Sequence, residues 1–184
     1  MKTKIIGIFL LAITTGLIGF RTVESRFVKR SLFNESPNGT IYILIDKSDY
    51  EVRVYDDEGW YATYPAVFGN KSLEDKMMEG DRNTPEGNFK IVLKKPHEKW
   101  HKMAVIDYPN KESWQKFNQR KAEGLIPKNA RIGGGIAIHG TWPNDNIVVD
   151  DFTNWTEGCI SIKNNDIDEL FSYLPVGTRV TIRK

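Results

Sequence analysis

Two residues of this chain combine the types and the spacing that nucleophilic catalysis needs. Cys159 is the only cysteine among the 184 residues, and it lies in the run Thr156–Ile162. His139 ends a short apolar stretch twenty residues upstream. A histidine can take the proton of a thiol because its pKa lies near neutrality, and the thiolate is the nucleophilic form. The alternative for a lone cysteine is a buried small hydrophobic side chain without chemistry.

The residues around the cysteine predict a turn that exposes backbone N–H groups. Gly158 directly precedes Cys159, and glycine permits backbone conformations that other residues rarely adopt. Such a turn can aim its N–H groups at the carbonyl oxygen of a substrate. The N–H groups of Gly158 and Cys159 are therefore candidate donors for an oxyanion hole.

A second motif, His97-Glu98-Lys99-Trp100-His101, matches the H-E-x-x-H pattern of zinc proteases. That chemistry needs both histidines on one face of a helix, with the glutamate beside a metal-bound water. Here Pro96 directly precedes the motif, strand-like segments flank it on both sides, and a third ligand is not evident. The sequence therefore predicts a solvated loop between two strands, and no metal site.

The elements that must position these residues are mostly short strands. Apolar runs and alternating patterns predict strands at 40–45, 51–55, 60–67, 88–93, 103–108, 136–139 and 179–182. The segment Thr84-Pro85-Glu86-Gly87 predicts a tight turn before the fourth strand. Helical spacing predicts one helix over 111–123 and another that Asn164 or Asn165 caps. The expected fold class is mainly β, or β-rich α+β: a β-sandwich or open barrel with two peripheral helices.

Composition places these elements in one globular domain. The chain is 40% hydrophobic and 27% charged, which suits a packed core. Its net charge is +2, but residues 1–38 hold six basic and two acidic side chains, so the remainder is slightly acidic. A slightly acidic domain without a basic cluster gives no support for nucleic-acid binding.

The N-terminal segment has the pattern of an export signal. Lys2 and Lys4 precede sixteen uncharged residues at 5–20, and Arg21 follows them. We therefore divide the chain into a signal peptide or uncleaved signal-anchor at 1–25, a polar tether at 26–38 and a folded domain at 39–184. The expected location is the periplasm or cell envelope, with membrane contact through the N-terminal segment.

The combined pattern resembles the L,D-transpeptidase catalytic domain family (YkuD-type), which are bacterial enzymes of peptidoglycan. The resemblance covers about residues 39–184. Its motifs are a hairpin at 41–55, a G-x-x-x-T-P-x-G-x-F turn at 80–89, an I-x-I-H-G strand end at 136–140 and an S/T-x-G-C-I turn at 156–162. These stretches occur in the order in which the family has them.

The resemblance implies an exported cysteine L,D-transpeptidase of this domain fold, without a cofactor or metal. His139 would act as the base for Cys159, whose thiolate would attack the L–D bond of a stem peptide. Resolution of the thioester by an amine would give a cross-link, and resolution by water would give an L,D-carboxypeptidase. The implied partners are donor and acceptor peptidoglycan stem peptides, and the implied inhibitors are β-lactams of the carbapenem class.

Two positions depart from the family's commonest pattern. Glu157 stands where a histidine often precedes the Gly-Cys pair, and Ser161 stands where an arginine or asparagine is frequent. An arginine binds a carboxylate bidentately and a serine does not, so we expect substrate recognition to differ. The candidate oxyanion or substrate-binding residues are Gly140, Glu157, Gly158 and Ser161. For Glu157 three roles stay open: orienting His139, meeting the acceptor amine, or simple solvation.

Two further alternatives stay open at this point. A non-catalytic wall-binding module could have the same fold, although such a module needs neither Cys159 nor His139. Trp142 and Trp155 lie between these two residues in the sequence. They would either form a wall of the substrate groove or pack in the core.

Overall fold

The structure of the protein is a computed structural model that describes residues 36–184. The predicted export segment at 1–25 and most of the tether at 26–38 lie outside the described residues, so these assignments stay predictions. Within 36–184, no helix has both the length and the apolar character that a membrane span requires.

Eight strands in the described part of the chain form one continuous sheet. They are β1 Tyr42–Asp46, β2 Glu51–Asp56, β3 Gly59–Pro65, β4 Gly87–His97, β5 His101–Ile106, β6 Ala137–His139, β7 Ile160–Ser161 and β8 Arg179–Arg183. Their order across the sheet is β3-β2-β1-β8-β4-β5-β6-β7. β1 and β8 are parallel, as are β6 and β7, and the other neighbours are antiparallel.

The two ends of this sheet approach each other. Val67, two residues beyond β3, exchanges two backbone hydrogen bonds of 2.9 Å with Ser161 of β7. Since β3 and β7 are the first and last strands of the sheet, this bridge curls the sheet towards an open barrel. The expectation of a mainly β fold is confirmed.

The helices pack around this sheet. They are α1 Lys111–Ala122, α2 Ile147–Asp150 and α3 Asn164–Tyr173. α1 begins where the pattern predicted, because the Asn110 side chain accepts the N–H of Ser113 at 3.0 Å. Gly124, with φ of 74°, follows its end. α2 is a single turn that the sequence patterns did not predict.

The start of α3 differs from the predicted asparagine cap. Its N-cap is Lys163, which makes no side-chain cap hydrogen bond. The Asn164 side chain instead accepts the N–H of Thr141 at 2.9 Å and donates to the carbonyl of Trp142 at 3.2 Å. The amide is therefore used to fasten the loop that follows β6, and this loop begins directly after His139.

Alternating apolar residues of the strands meet in one core that immobilises β6 and β7. Side chains that are at most 2% exposed include Ile43, Ile45, Val52, Val54, Ile91, Ile106, Ile138, Ile160, Val180 and Ile182. Interiors packed in this way leave little room for side chains to shift. Residues that adjoin Ile138 and Ile160 are therefore held by rigid elements.

The H-E-x-x-H segment is a hairpin turn. β4 ends at His97, β5 begins at His101, and these two residues pair across the ladder. The prediction of a loop between two strands is confirmed. Among residues 36–184, no group of three His, Cys, Asp or Glu side chains has the arrangement of a metal site.

Candidate active site

The parallel pairing of β6 with β7 brings the two predicted catalytic residues together. His139 lies opposite Ser161 in this pairing. Cys159 comes two residues before Ser161, and Ala137 comes two residues before His139. Because alternate residues of a strand point to the same face, this register places Cys159 and His139 on one face of adjacent chain segments.

The carbonyl of Gly140 sets the orientation and the tautomer of the imidazole. Nδ1 of His139 lies 2.6 Å from this oxygen. A carbonyl oxygen can only accept, so Nδ1 carries the hydrogen and Nε2 has the free lone pair. Oγ of Ser161 donates to the same carbonyl at 3.3 Å. Nε2 is therefore the atom of His139 that can act as a base.

Aromatic rings enclose the imidazole, which is only 1% exposed. The Trp100 ring stacks on it with centroids 4.8 Å apart and 21° between the planes. Trp155 meets it edge-on at 5.5 Å and 67°. Trp142 packs on Trp155 at 3.9 Å and is 38% exposed. Trp155 thus packs against the imidazole, and Trp142 forms an outer layer that reaches solvent.

Burial opposes the charged forms of both predicted catalytic groups. It lowers the pKa of His139 to about 4, which the nearby His97 also favours and the bond to Gly140 opposes. Burial raises the pKa of the Cys159 thiol, against a hydrogen bond from the Ala137 backbone. At neutral pH both groups are therefore uncharged, and a thiolate requires transfer of the proton to a base.

Thr156 holds the turn that carries the cysteine. Its Oγ1 accepts the N–H of Gly158 at 3.2 Å and donates to the carbonyl of Cys159 at 2.7 Å. Gly158 has φ of 118°, and a Cβ there would lie 2.7 Å from the carbonyl oxygen of Asn83. The position therefore needs glycine. Because Thr156 engages the Gly158 amide, the Cys159 amide is the better of the two predicted oxyanion donors.

The thiol of Cys159 has a partner of its own. Its Sγ donates to the carbonyl of Gly135 at 3.5 Å, in the segment that leads into β6. The side chain is partly buried. The sulfur therefore lies beside the strand that ends at His139, and a transfer of its proton to Nε2 would require the thiol to leave this carbonyl.

Glu157 lies on the surface beside the cysteine turn. Its carboxylate is 77% exposed and lies 3.3 Å from Nε of Arg82. Nε and Nη2 of Arg82 also donate to the carbonyl of Thr156, at 3.3 Å each. Among residues 36–184, the His139 ring contacts Gly140, Trp100 and Trp155. These contacts give no support to Glu157 as the group that orients the imidazole.

The other departure from the expected motif, Ser161, is fully buried. Its exposure is 0%, and its hydroxyl donates to Gly140. It therefore adjoins the imidazole through a shared carbonyl. The closeness of Gly140 to its neighbours also explains why this residue is a glycine: a Cβ there would lie 2.3 Å from Oδ1 of Asn164.

Comparison with known proteins identifies the family. The model of the L,D-transpeptidase catalytic domain (YkuD) matches residues 40–182. The Bacillus subtilis protein YqjB, an inferred L,D-transpeptidase, is 30% identical over 148 residues, which are 78% of this chain and 72% of YqjB. The chain belongs to the YkuD family of L,D-transpeptidase catalytic domains.

Solved structures share the fold. The helical cell shape determining protein Pgp2 of Campylobacter jejuni is 25% identical, with a TM-score of 0.55 over 79% of this chain and 48% of its own. L,D-transpeptidase 3 of Mycobacterium tuberculosis, solved with a faropenem-derived adduct, is 12% identical, with a TM-score of 0.53 over 79% of this chain and 60% of its own. The chain thus spans about half the length of the Pgp2 structure.

Acid is expected to destabilise the protein through His139. Its pKa is about 4 in the native state and 6.5 ordinarily, so between these values the unfolded chain binds the extra proton. The contribution of the neutral imidazole to the free energy of unfolding is therefore fully present above pH 6.5, and about 3 kcal/mol of it is lost as the pH falls to 4. Urea unfolding at pH 7 and pH 4 should show a smaller loss in His139→Gln, which lacks this titration. Equal losses in the two proteins would contradict the assignment of a neutral, buried imidazole.

Proposed function

We propose that this protein is an exported cysteine L,D-transpeptidase that acts on peptidoglycan stem peptides. The observation that carries the proposal is the placement of Cys159 and His139 on one face of adjacent segments. The bond from Nδ1 to Gly140 leaves Nε2 as the base. Membership of the YkuD family supports the class of substrate.

The proposed reaction has two half-reactions. Nε2 of His139 takes the thiol proton while Sγ of Cys159 attacks the carbonyl at the L-centre of an L–D bond, and the Cys159 N–H stabilises the oxyanion. The C–N bond then breaks, and His139 returns the proton to the departing D-amino acid. In the second half, the acceptor ammonium first loses one proton to solvent. The free amine then attacks the thioester while Nε2 of His139 takes a second proton. The C–S bond breaks, the cross-link forms, and His139 returns that proton to Sγ of Cys159.

We assign Glu157 to the acceptor side of the site. An acceptor amine arrives as an ammonium ion, and a carboxylate at the rim of the site attracts it. The pair that Glu157 makes with Arg82 is exposed, and exposed pairs contribute little energy, so it does not hold Glu157 away from an acceptor. In this proposal Gly158 shapes the turn before Cys159, and the carbonyl of Gly140 orients the imidazole of His139. Ser161 acts indirectly, because its hydroxyl donates to that same carbonyl.

The proposed location follows from the N-terminal pattern and from the substrate. Stem peptides lie outside the cytoplasm, so the segment 1–25 would export the domain to the periplasm or cell envelope, as a cleaved signal or as an anchor. The likeness to Pgp2 supports a role in cell-wall biogenesis and cell shape. The faropenem adduct of the Mycobacterium enzyme supports acylation of Cys159 by β-lactams.

Intact-protein mass spectrometry with a stem tetrapeptide tests the proposal. We expect a mass gain on Cys159 and release of a D-amino acid, followed by a cross-linked product when an acceptor stem peptide is added. Release without a cross-link would assign the protein as an L,D-carboxypeptidase with the same site. A folded protein that forms no adduct with the tetrapeptide or with a carbapenem would overturn the proposal in favour of a wall-binding module.

A further inference from the structure

We propose that Trp100, from the hairpin that carries the H-E-x-x-H sequence, is a positioning residue for the base His139. The catalytic consequence rests on the proposed function, whereas the effect on the imidazole itself does not. The geometry assigns this role through two separate contacts, one with the imidazole ring and one with the backbone of Gly140, the residue whose carbonyl binds the imidazole.

The first contact fixes the plane of the imidazole. The rings of Trp100 and His139 are nearly parallel, with 21° between them and 4.8 Å between centroids. The hydrogen bond from Nδ1 to Gly140 fixes one edge of the ring but leaves the ring free to tilt about that edge. The indole face removes this freedom, so together the two contacts determine where Nε2 points.

The second contact holds the backbone of Gly140, the residue whose carbonyl fixes the tautomer. The carbonyls of Trp100 and Lys102 share the N–H of Gly140, at 3.2 Å each. The backbones are so close that a Cβ on Gly140 would lie 3.1 Å from this carbonyl oxygen. Displacement of Trp100 would therefore move the indole and remove one of the two acceptors that hold Gly140, whose carbonyl binds Nδ1.

His97 also stacks on the indole. The centroids of its ring and the Trp100 ring are 4.5 Å apart, with 7° between the planes, so Trp100 has a ring contact with each of two histidines. Nδ1 of His97 accepts the N–H groups of Lys99 and Trp100 at 3.2 Å each. Nδ1 of His97 is thus the acceptor that holds the backbone of this turn against the ring.

His101 fastens the other side of the same turn. Its Nε2 lies 2.8 Å from Oδ1 of Asp168 in α3, and it begins β5 with φ of 60°. The two histidines of the motif therefore have different tasks in the hairpin. His97 covers Trp100, and His101 ties the returning strand to α3. The H-E-x-x-H spacing in this chain thus serves the placement of Trp100.

The test compares Trp100→Leu, Trp100→Phe and the control Trp114→Leu. Leucine keeps an apolar side chain but removes the stacked ring, and phenylalanine keeps an aromatic face. Trp114 lies on α1 and is 45% exposed, so its replacement controls for the loss of a tryptophan elsewhere. NMR titration of the imidazole protons is simple because the chain has three histidines.

We expect Trp100→Leu to raise the pKa of His139 by about 1 unit or more, because water reaches an imidazole that burial now keeps neutral. We also expect the rate of acylation to fall roughly 100-fold at saturating substrate with little change in KM, since misplacement of the base affects the chemical step. Trp100→Phe should recover most of both properties, and Trp114→Leu should change neither.

An unchanged His139 pKa and acylation rate in folded Trp100→Leu would overturn the proposal. A Trp100→Phe variant no better than Trp100→Leu would also overturn it, since a general packing role does not require an aromatic face. If Trp100→Leu does not fold, the titration of Trp100→Phe decides the role of Trp100. We then expect a smaller rise in the pKa of His139, and no rise would overturn the proposal. If the wild-type protein forms no acyl-enzyme, the proposed function fails, and the titration still decides the role of Trp100.

Discussion

Replacement of Cys159 by alanine is expected to abolish the acyl-enzyme. Without the sulfur no atom of the side chain can form a thioester, and loss of a catalytic nucleophile typically costs on the order of 10⁶-fold in rate. Intact-protein mass spectrometry with a stem tetrapeptide or a carbapenem should show the adduct in the wild-type protein and the bare mass in Cys159→Ala. A variant that still gains the adduct mass would place the nucleophile elsewhere.

The fold of this variant should be intact, which makes the loss interpretable. The side chain of Cys159 is partly buried, and its hydrogen bonds are weak ones to the backbones of Gly135, at 3.5 Å, and Ala137. Removal of one sulfur atom therefore leaves the turn held by Thr156. Thermal unfolding should show a midpoint close to that of the wild type. Cys159→Ser is the matched control for size, because its hydroxyl fills the site but is a far weaker nucleophile.

The strands could be predicted because their signals are local. The alternation in 51–55 and the turn at 84–87 specify structure within a few residues, and the structure has β2 and β4 there. The order of the strands depends on contacts between distant residues. The parallel pairing of β1 with β8 joins Tyr42 to Arg179, and no local pattern identifies such a partner.

The candidate site divides in the same way. Cys159 and His139 are conspicuous by their residue types, so the sequence predicts them as a pair. The group that sets the tautomer of His139 is a backbone carbonyl, which leaves no signal in the sequence. Trp100 lies inside the H-E-x-x-H motif, which directs attention to zinc chemistry and not to the tryptophan. Its role depends on the hairpin geometry that brings β5 beside β6.

The charge state of Cys159 and His139 also could not be predicted from the sequence. A cysteine beside a histidine in a charged, open site forms a thiolate and an imidazolium, whereas burial favours two neutral groups. Here burial lowers the pKa of His139 and raises that of Cys159. For the proposed reaction we therefore infer general-base activation at the moment of attack, and not a nucleophile that is ionised at rest.

Replacement of His139 by alanine tests this form of activation. General acid–base catalysis typically contributes roughly 10²- to 10⁴-fold, so we expect the rate of acylation at pH 7 to fall by about that factor. Leu125→Ala is the control for an alanine substitution elsewhere, because Leu125 follows α1, is 61% exposed and has no part in the proposed site. We expect that control to keep most of its activity.

The dependence of the rate on pH distinguishes a lost base from a disturbed fold. In the wild type the neutral pair persists above the pKa of His139, about 4, so the rate should be nearly flat from about pH 5 to 8. In His139→Ala the thiolate must form by titration of a thiol whose pKa is raised, so the residual rate should increase about tenfold per pH unit.

A flat profile of His139→Ala at a reduced rate would show that another group accepts the proton. A wild-type profile that rises through pH 6.5 would show that His139 is solvated when substrate is bound. The tenfold slope would instead identify His139 as the group that makes Cys159 reactive at neutral pH.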